Sequence, residues 1–173
     1  MTKLKTNAES LQTIVSKSVP KIKTYVLTVS EFFPKTHNKS GLPTGFIDKI
    51  GSKIKKHTIR GNYELWKKRI DEIQKGNAVL SVRYWTGKPY NSKQKEAYVF
   101  GKDSGIGIQR LTFKDKEFLG EIAISPDLDI WHSYTVKNLA TNDGLEYEDF
   151  KEWFKNYDLS KSLAIVHFTA ERY

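Results

Sequence analysis

At 173 residues the chain is of single-domain length, long enough for one sizeable core. It has no run of the roughly 18 apolar residues that a membrane span needs, no apolar leader at its start and no cysteine for disulfides or thiolate zinc sites. A cytoplasmic protein without a cofactor, and with no membrane partner, is the expectation. The net charge of +9 sits wholly in residues 1–60, with twelve Lys/Arg against three Asp/Glu, whereas residues 61–173 hold seventeen of each. That asymmetry predicts a polyanionic partner or substrate.

Residues 1–20 read as a basic tail with a short amphipathic turn through Leu11, Ile14 and Val15, and residues 21–173 as one domain. Ile22 to Val29 is β-rich and predicts the first strand. Pro34 to Pro43 is a polar loop, and Thr44 caps a short helix through Phe46, Ile47 and Ile50 that Gly51 stops. The run Lys53 to Arg60 is expected to be extended. Tyr63, Trp66, Ile70 and Ile73 mark one helical stripe, with Gly76 at its end.

Ala78 to Trp85 alternates as a strand, and Gly87-Lys88-Pro89-Tyr90 turns the chain. Glu96 to Gly101, Ile106 to Phe113 and Leu119 to Ile124 are shorter strand candidates. Thr135 caps a helical turn through Val136, Leu139 and Ala140. Past Asn142-Asp143-Gly144, Tyr147, Phe150, Trp153 and Phe154 line a second amphipathic helix, and Leu163 to Phe168 is the last strand. About seven short strands with three or four helices, without strict alternation, predict an α+β fold rather than a doubly wound one. Lys53–Arg60, Ala78–Trp85 and Leu163–Phe168 are expected to share one curved sheet.

The run Lys53-Ile54-Lys55-Lys56-His57-Thr58-Ile59-Arg60 carries the most chemistry. Four cations, an imidazole and a hydroxyl in eight residues are expensive to desolvate, which a purely structural strand avoids. Positive charge beside a hydroxyl suits phosphates or a polar base; a solvated basic edge strand is the plain alternative. Strand parity sets Lys56, Thr58 and Arg60 on one face and Lys55, His57 and Ile59 on the other. Arg83, Trp85, Lys88 and Tyr90 form a second group, cationic and aromatic in alternation, that could stack a base and hold its phosphate. Otherwise Trp85 is core and Lys88-Pro89 merely a turn. His37, His57, His132 and His167 show no ligand spacing, so no metal site is expected.

Lys55-Lys56-His57-Thr58-Ile59-Arg60 resembles the signature of the ASCH (activating signal cointegrator homology) domain, a PUA-like β-barrel. Gly76–Trp85, Asn142–Phe154 and Ala164–Thr169 fit the same family in the same order. The resemblance implies a PUA-like barrel with three to four surrounding helices, and RNA or a modified nucleoside bound in a basic cleft. Some small members of the family are 4-acetylcytidine amidohydrolases that use a lysine, a threonine and a glutamate. Carried over by motif, these fall on Lys55, Thr58 and, with a carboxylate one methylene shorter, Asp143. Lys53, Lys56, His57 and Arg60, with Arg83, Trp85, Lys88 and Tyr90, would bind the nucleoside or nucleic acid. The motif pairs Thr58 with Lys55, where strand parity pairs it with Lys56. Asn142-Asp143-Gly144 is also ordinary turn chemistry. The third possibility is an interaction module whose basic third meets an acidic protein.

Overall fold

The structure, a computed structural model, describes residues 22–113, 121–125 and 132–173, with side chains from 22–113 and 135–173. The tail expected over residues 1–20, the start of the strand expected from Leu119 and the side chain of His132 lie outside the described parts. Among the described residues the fold is mixed α+β, with eight strands and four helices in two sheets.

The first sheet has three strands in the order β1 (Lys23–Thr28), β3 (Ala78–Trp85) and β4 (Gln94–Phe100). β1 runs parallel to β3, and β4 returns antiparallel with a register shift at Val82/Arg83. The second sheet has the order β2 (His57–Arg60), β8 (Leu163–His167), β5 (Gly107–Phe113), β6 (Glu121–Ser125) and β7 (His132–Thr135), all antiparallel. Every residue of β8 is buried, as a central strand covered on both faces requires.

The helix α2 (Tyr63–Gln74) buries Tyr63, Trp66, Ile70 and Ile73, the predicted stripe, and packs on strands of both sheets. Asn62, at φ 57°, caps it by accepting from the Leu65 N–H. α1 (Phe46–Gly51) buries Phe46 and Ile50, while Thr44 accepts from the Phe46 N–H and donates to the Ser30 carbonyl. α3 (Val136–Asn142) is capped by Thr135 as expected, and α4 (Tyr147–Phe154) buries Phe150 and Phe154.

Two expectations need correction. Ala78–Trp85 does not share a sheet with His57–Arg60 and Leu163–His167; it is the centre of the other sheet. β3 is claimed by a parallel neighbour, β1, which the order of elements along the chain does not reveal. The basic run is extended only from His57: Lys53 is left-handed at φ 60°, in a turn closed by its N–H to the Ile50 carbonyl. β7 was not foreseen, because His132-Ser-Tyr-Thr135 is short and polar for a strand.

Candidate functional site

The end of α3 and the start of β2 meet because the backbone of one residue ties them. Lys56 N–H donates to the Asn142 carbonyl at 2.8 Å, and the Lys56 carbonyl accepts from Phe168 N–H at 2.8 Å. α3 closes with Gly144 N–H on the Thr141 carbonyl and Leu145 N–H on the Ala140 carbonyl, the paired bonds of a Schellman ending. Gly144 takes the left-handed position at φ 75°, and a β-carbon there would lie 3.0 Å from Lys55 Cβ. A side-chain-free residue is thus needed twice over, once for the turn and once for the approach of the lysine.

These ties bring Lys55 against Asp143. The Lys55 ammonium, 1 % exposed, donates to Asp143 Oδ1 at 2.7 Å and to the Asp143 carbonyl at 2.6 Å. It also stands 4.1 Å from the centre of the Phe46 ring. Burial pushes the Lys55 pKa down to about 8 against the pull of Asp143, with Arg60 and Lys49 adding to the fall. Burial also raises Asp143, but Lys55 and His57 outweigh it and hold the carboxyl below its ordinary range. The proton therefore sits on the lysine at neutral pH and leaves it just above.

Lys55, Thr58, Arg60 and Asp143 line one pocket of about 230 Å³, walled by Phe46, Trp153, Phe154 and Tyr157 and by Thr28 to Ser30. Thr58 is buried, and its hydroxyl has no hydrogen-bond partner among the described residues. The Arg60 guanidinium is fixed by the carbonyls of Ile59 at 2.9 Å and Thr28 at 2.8 Å. Burial lowers its pKa, yet a guanidinium keeps its charge. A larger recess of about 540 Å³ is lined by Lys49 and Gly144 among others, but none of the catalytic or binding candidates named from the sequence lines it.

Lys55, not Lys56, shares the pocket with Thr58. Parity failed there because β2 begins at His57, after both lysines. Lys56 turns outward to Glu171 at 2.5 Å, and Lys53 is exposed on its turn. His57 lies behind the pocket: it is buried, with Nδ1 3.6 Å from Asp143 Oδ1 and Nε2 2.7 Å from Tyr173 Oη. The basic run is thus largely neutralised or buried rather than a free cationic face.

The second group lies at the β3–β4 turn. Arg83 Nε donates to Ser81 Oγ at 2.8 Å, and its guanidinium stands 3.7 Å from Glu96. The Trp85 and Tyr90 rings are 5.4 Å apart, Trp85 half-buried and Tyr90 88 % exposed at φ 65°. Lys88 is exposed on the same turn. Gln94, opposite Trp85 in the ladder, donates to Thr28 Oγ1 at 3.2 Å, and Thr28 also lines the pocket. The two groups are neighbours through that residue.

Phe46, Trp153 and Tyr157 as pocket walls, and Asn142, His167 and Tyr173 behind it, were not singled out as site residues. The helical stripe marked Trp153 as apolar, which holds for a core face and a pocket wall alike. His57 and His167 are partners in the β2–β8 register, a pairing that no spacing along the chain discloses. Among the described residues no group of His, Asp or Glu could hold a metal ion, and no helix is long and apolar enough to cross a membrane. Comparison of the chain with protein-family models, with curated proteins and with solved structures finds no match.

Proposed function

We propose that the pocket takes the base of a modified nucleoside, free or within RNA, and hydrolyses an acyl amide on a cytosine-like ring. The observation that carries this reading is a buried ion pair, Lys55–Asp143, in one pocket with a threonine hydroxyl that lacks a partner among the described residues. Packing alone does not call for these three groups to meet from distant parts of the chain. The volume, below the roughly 300 Å³ at which drug-sized sites begin, suits a single planar base.

In this scheme neutral Lys55 takes the proton of Thr58, whose oxygen attacks the acyl carbon. The lysine returns that proton to the departing exocyclic nitrogen, and water then cleaves the acyl-threonine ester. Asp143 holds the lysine, and Arg60 sits among the aromatic walls where a base carbonyl or phosphate would lie. A PUA-like barrel of the ASCH kind is the finer fold reading that goes with it. It is supported by the order of the four sequence motifs and by a single helix, α2, packed on both sheets.

Binding without turnover is the second reading. It is favoured by the Lys55–Asp143 bond itself, which keeps the ammonium charged below about pH 8. Incubation with 4-acetylcytidine separates the two. The hydrolase reading expects release of acetate and cytidine, at a rate that climbs through about pH 8 as Lys55 loses its proton. Thr58→Val should lower kcat at least about a hundredfold and leave the melting temperature nearly unchanged, since the lost hydroxyl makes no hydrogen bond among the described residues. Binding of the nucleoside with no turnover across that pH range would leave the second reading in its place.

A further inference from the structure

Behind the pocket the carboxylate of Asp143 faces a second base. Lys55 Nζ hydrogen-bonds Oδ1 at 2.7 Å, and His57 Nδ1, buried and without a hydrogen-bond partner among the described residues, lies 3.6 Å from the same oxygen. His57 Nε2 lies 2.7 Å from Tyr173 Oη, which in turn accepts from Asn142 Nδ2 at 3.1 Å. Tyr173 is itself pinned, its N–H donating to Gln109 Oε1 at 3.0 Å and its carbonyl accepting from Gln109 Nε2 at 3.4 Å. Asn142 immediately precedes Asp143, so both ends of this chain of groups start from the close of α3.

The direction of the donors follows from what each group can give. With Asn142 donating to the phenol oxygen, the phenol hydrogen is available for Nε2, and the ring hydrogen of a neutral imidazole then sits on Nδ1. That tautomer turns an N–H toward the Asp143 carboxylate. The opposite one would turn a lone pair toward a buried anion, which is unfavourable where little solvent screens it. Burial lowers the pKa of His57, and Lys55 and Lys56 lower it further against Asp143, so the ring is neutral near neutral pH. His167 packs edge-on against it at 5.6 Å and is likewise held neutral by burial, with Arg172 and His57 acting the same way.

We propose that His57, oriented by Tyr173 and Asn142, is a positioning residue that supports the Asp143 carboxylate whenever Lys55 gives up its proton. The purpose rests on the hydrolase reading above; the geometry does not. A lysine base must pass through its neutral form, and at that moment Asp143 is a buried charge without its counter-ion. An imidazole N–H 3.6 Å from the same oxygen, too far for a hydrogen bond but aimed at the charge through little solvent, lowers the cost of that state, so the lysine can release its proton closer to neutral pH. Arg60 and Lys49, the other cations that face Lys55, favour the neutral amine too, but neither of their bonds is to the carboxylate.

The test uses the full chain, labelled for NMR, in native form and as Tyr173→Phe and His57→Phe. Tyr173→Phe keeps the ring and removes only the hydroxyl, so it serves even if His57→Phe does not fold. The native chain should show His57 as the Nδ1–H tautomer and a Lys55 side chain titrating near pH 8. In Tyr173→Phe the Lys55 midpoint should rise by about half a unit to one unit. With 4-acetylcytidine as substrate, kcat at pH 7 should fall several-fold at unchanged KM and recover as the pH is raised. A native His57 in the Nε2–H tautomer, or an unmoved Lys55 midpoint in Tyr173→Phe, would overturn the proposal. Absence of turnover in the native chain with the Lys55 midpoint moving as expected would remove the hydrolase reading and uphold the positioning role.

Discussion

A lysine ammonium that is 1 % exposed stays charged only because Asp143 sits 2.7 Å away. Such a pair is poor evidence for stability, since apolar side chains of similar volume often do as well. Breaking it from one side is another matter, because the remaining charge is buried alone. Asp143→Asn should therefore lower the unfolding free energy by about 3–5 kcal/mol, measured by urea titration. The double variant Lys55→Met/Asp143→Leu should recover to within about 2 kcal/mol of the native chain while losing any turnover. Failure of the double variant to recover would mean that the pair is kept for the fold rather than the pocket. At this scale the sequence singled out residues that meet in one pocket but not their geometry. Lys55, Thr58 and Asp143 could be named from the motif, whereas which lysine faces Thr58 depended on the turn at Lys53, a left-handed position for which a lysine gives no sign.

Among the elements, the β3–β4 turn raises the clearest question, since it places an exposed aromatic pair beside the pocket through Thr28. Lys88, Lys93 and Lys95 are exposed on that turn and its return strand, with no ion pair among the described residues. Lys151, Lys155 and Lys161, by contrast, each pair with an acid three residues earlier. If the nucleoside is read within single-stranded RNA, replacing the first three by Gln should reduce the salt dependence of binding by up to about two units of slope. Replacing the second three should change it little. Equal effects would assign binding to bulk charge. The helices were legible because their apolar stripes are long, Tyr63 to Ile73 above all. The sheets were less so: β3 reads as a strand from its own residues, but its parallel partnership with β1 is a long-range choice made by the core.

For the molecule as a whole, three buried titratable groups each make stability rise with pH, in two separate windows. His57 and His167 are neutral in the fold, while the unfolded chain takes up protons near pH 6.5. Their contribution is intact above that value and is lost as the pH falls below it. His167, pushed down to about 2 by burial, should alone remove about 2 kcal/mol between pH 6.5 and 5. Lys55 acts in the same direction at higher pH: the folded chain releases its proton at about 8 and the unfolded chain near 10.5, so stability gains as the pH rises across that window. Denaturant midpoints should accordingly fall from pH 7 to 5, and a flat profile would contradict neutral buried histidines.

The backbone of Lys56 has a consequence for selectivity. Its N–H holds the end of α3 and its carbonyl holds the chain beyond β8, so the two sides of the Lys55–Asp143 contact are fastened to the same sheet. Neither side can swing away without breaking main-chain bonds, and the pocket cannot widen by loop movement at that wall. A site so fastened discriminates by exclusion: a guest is accepted or refused by its outline, with little energy available from closing around it.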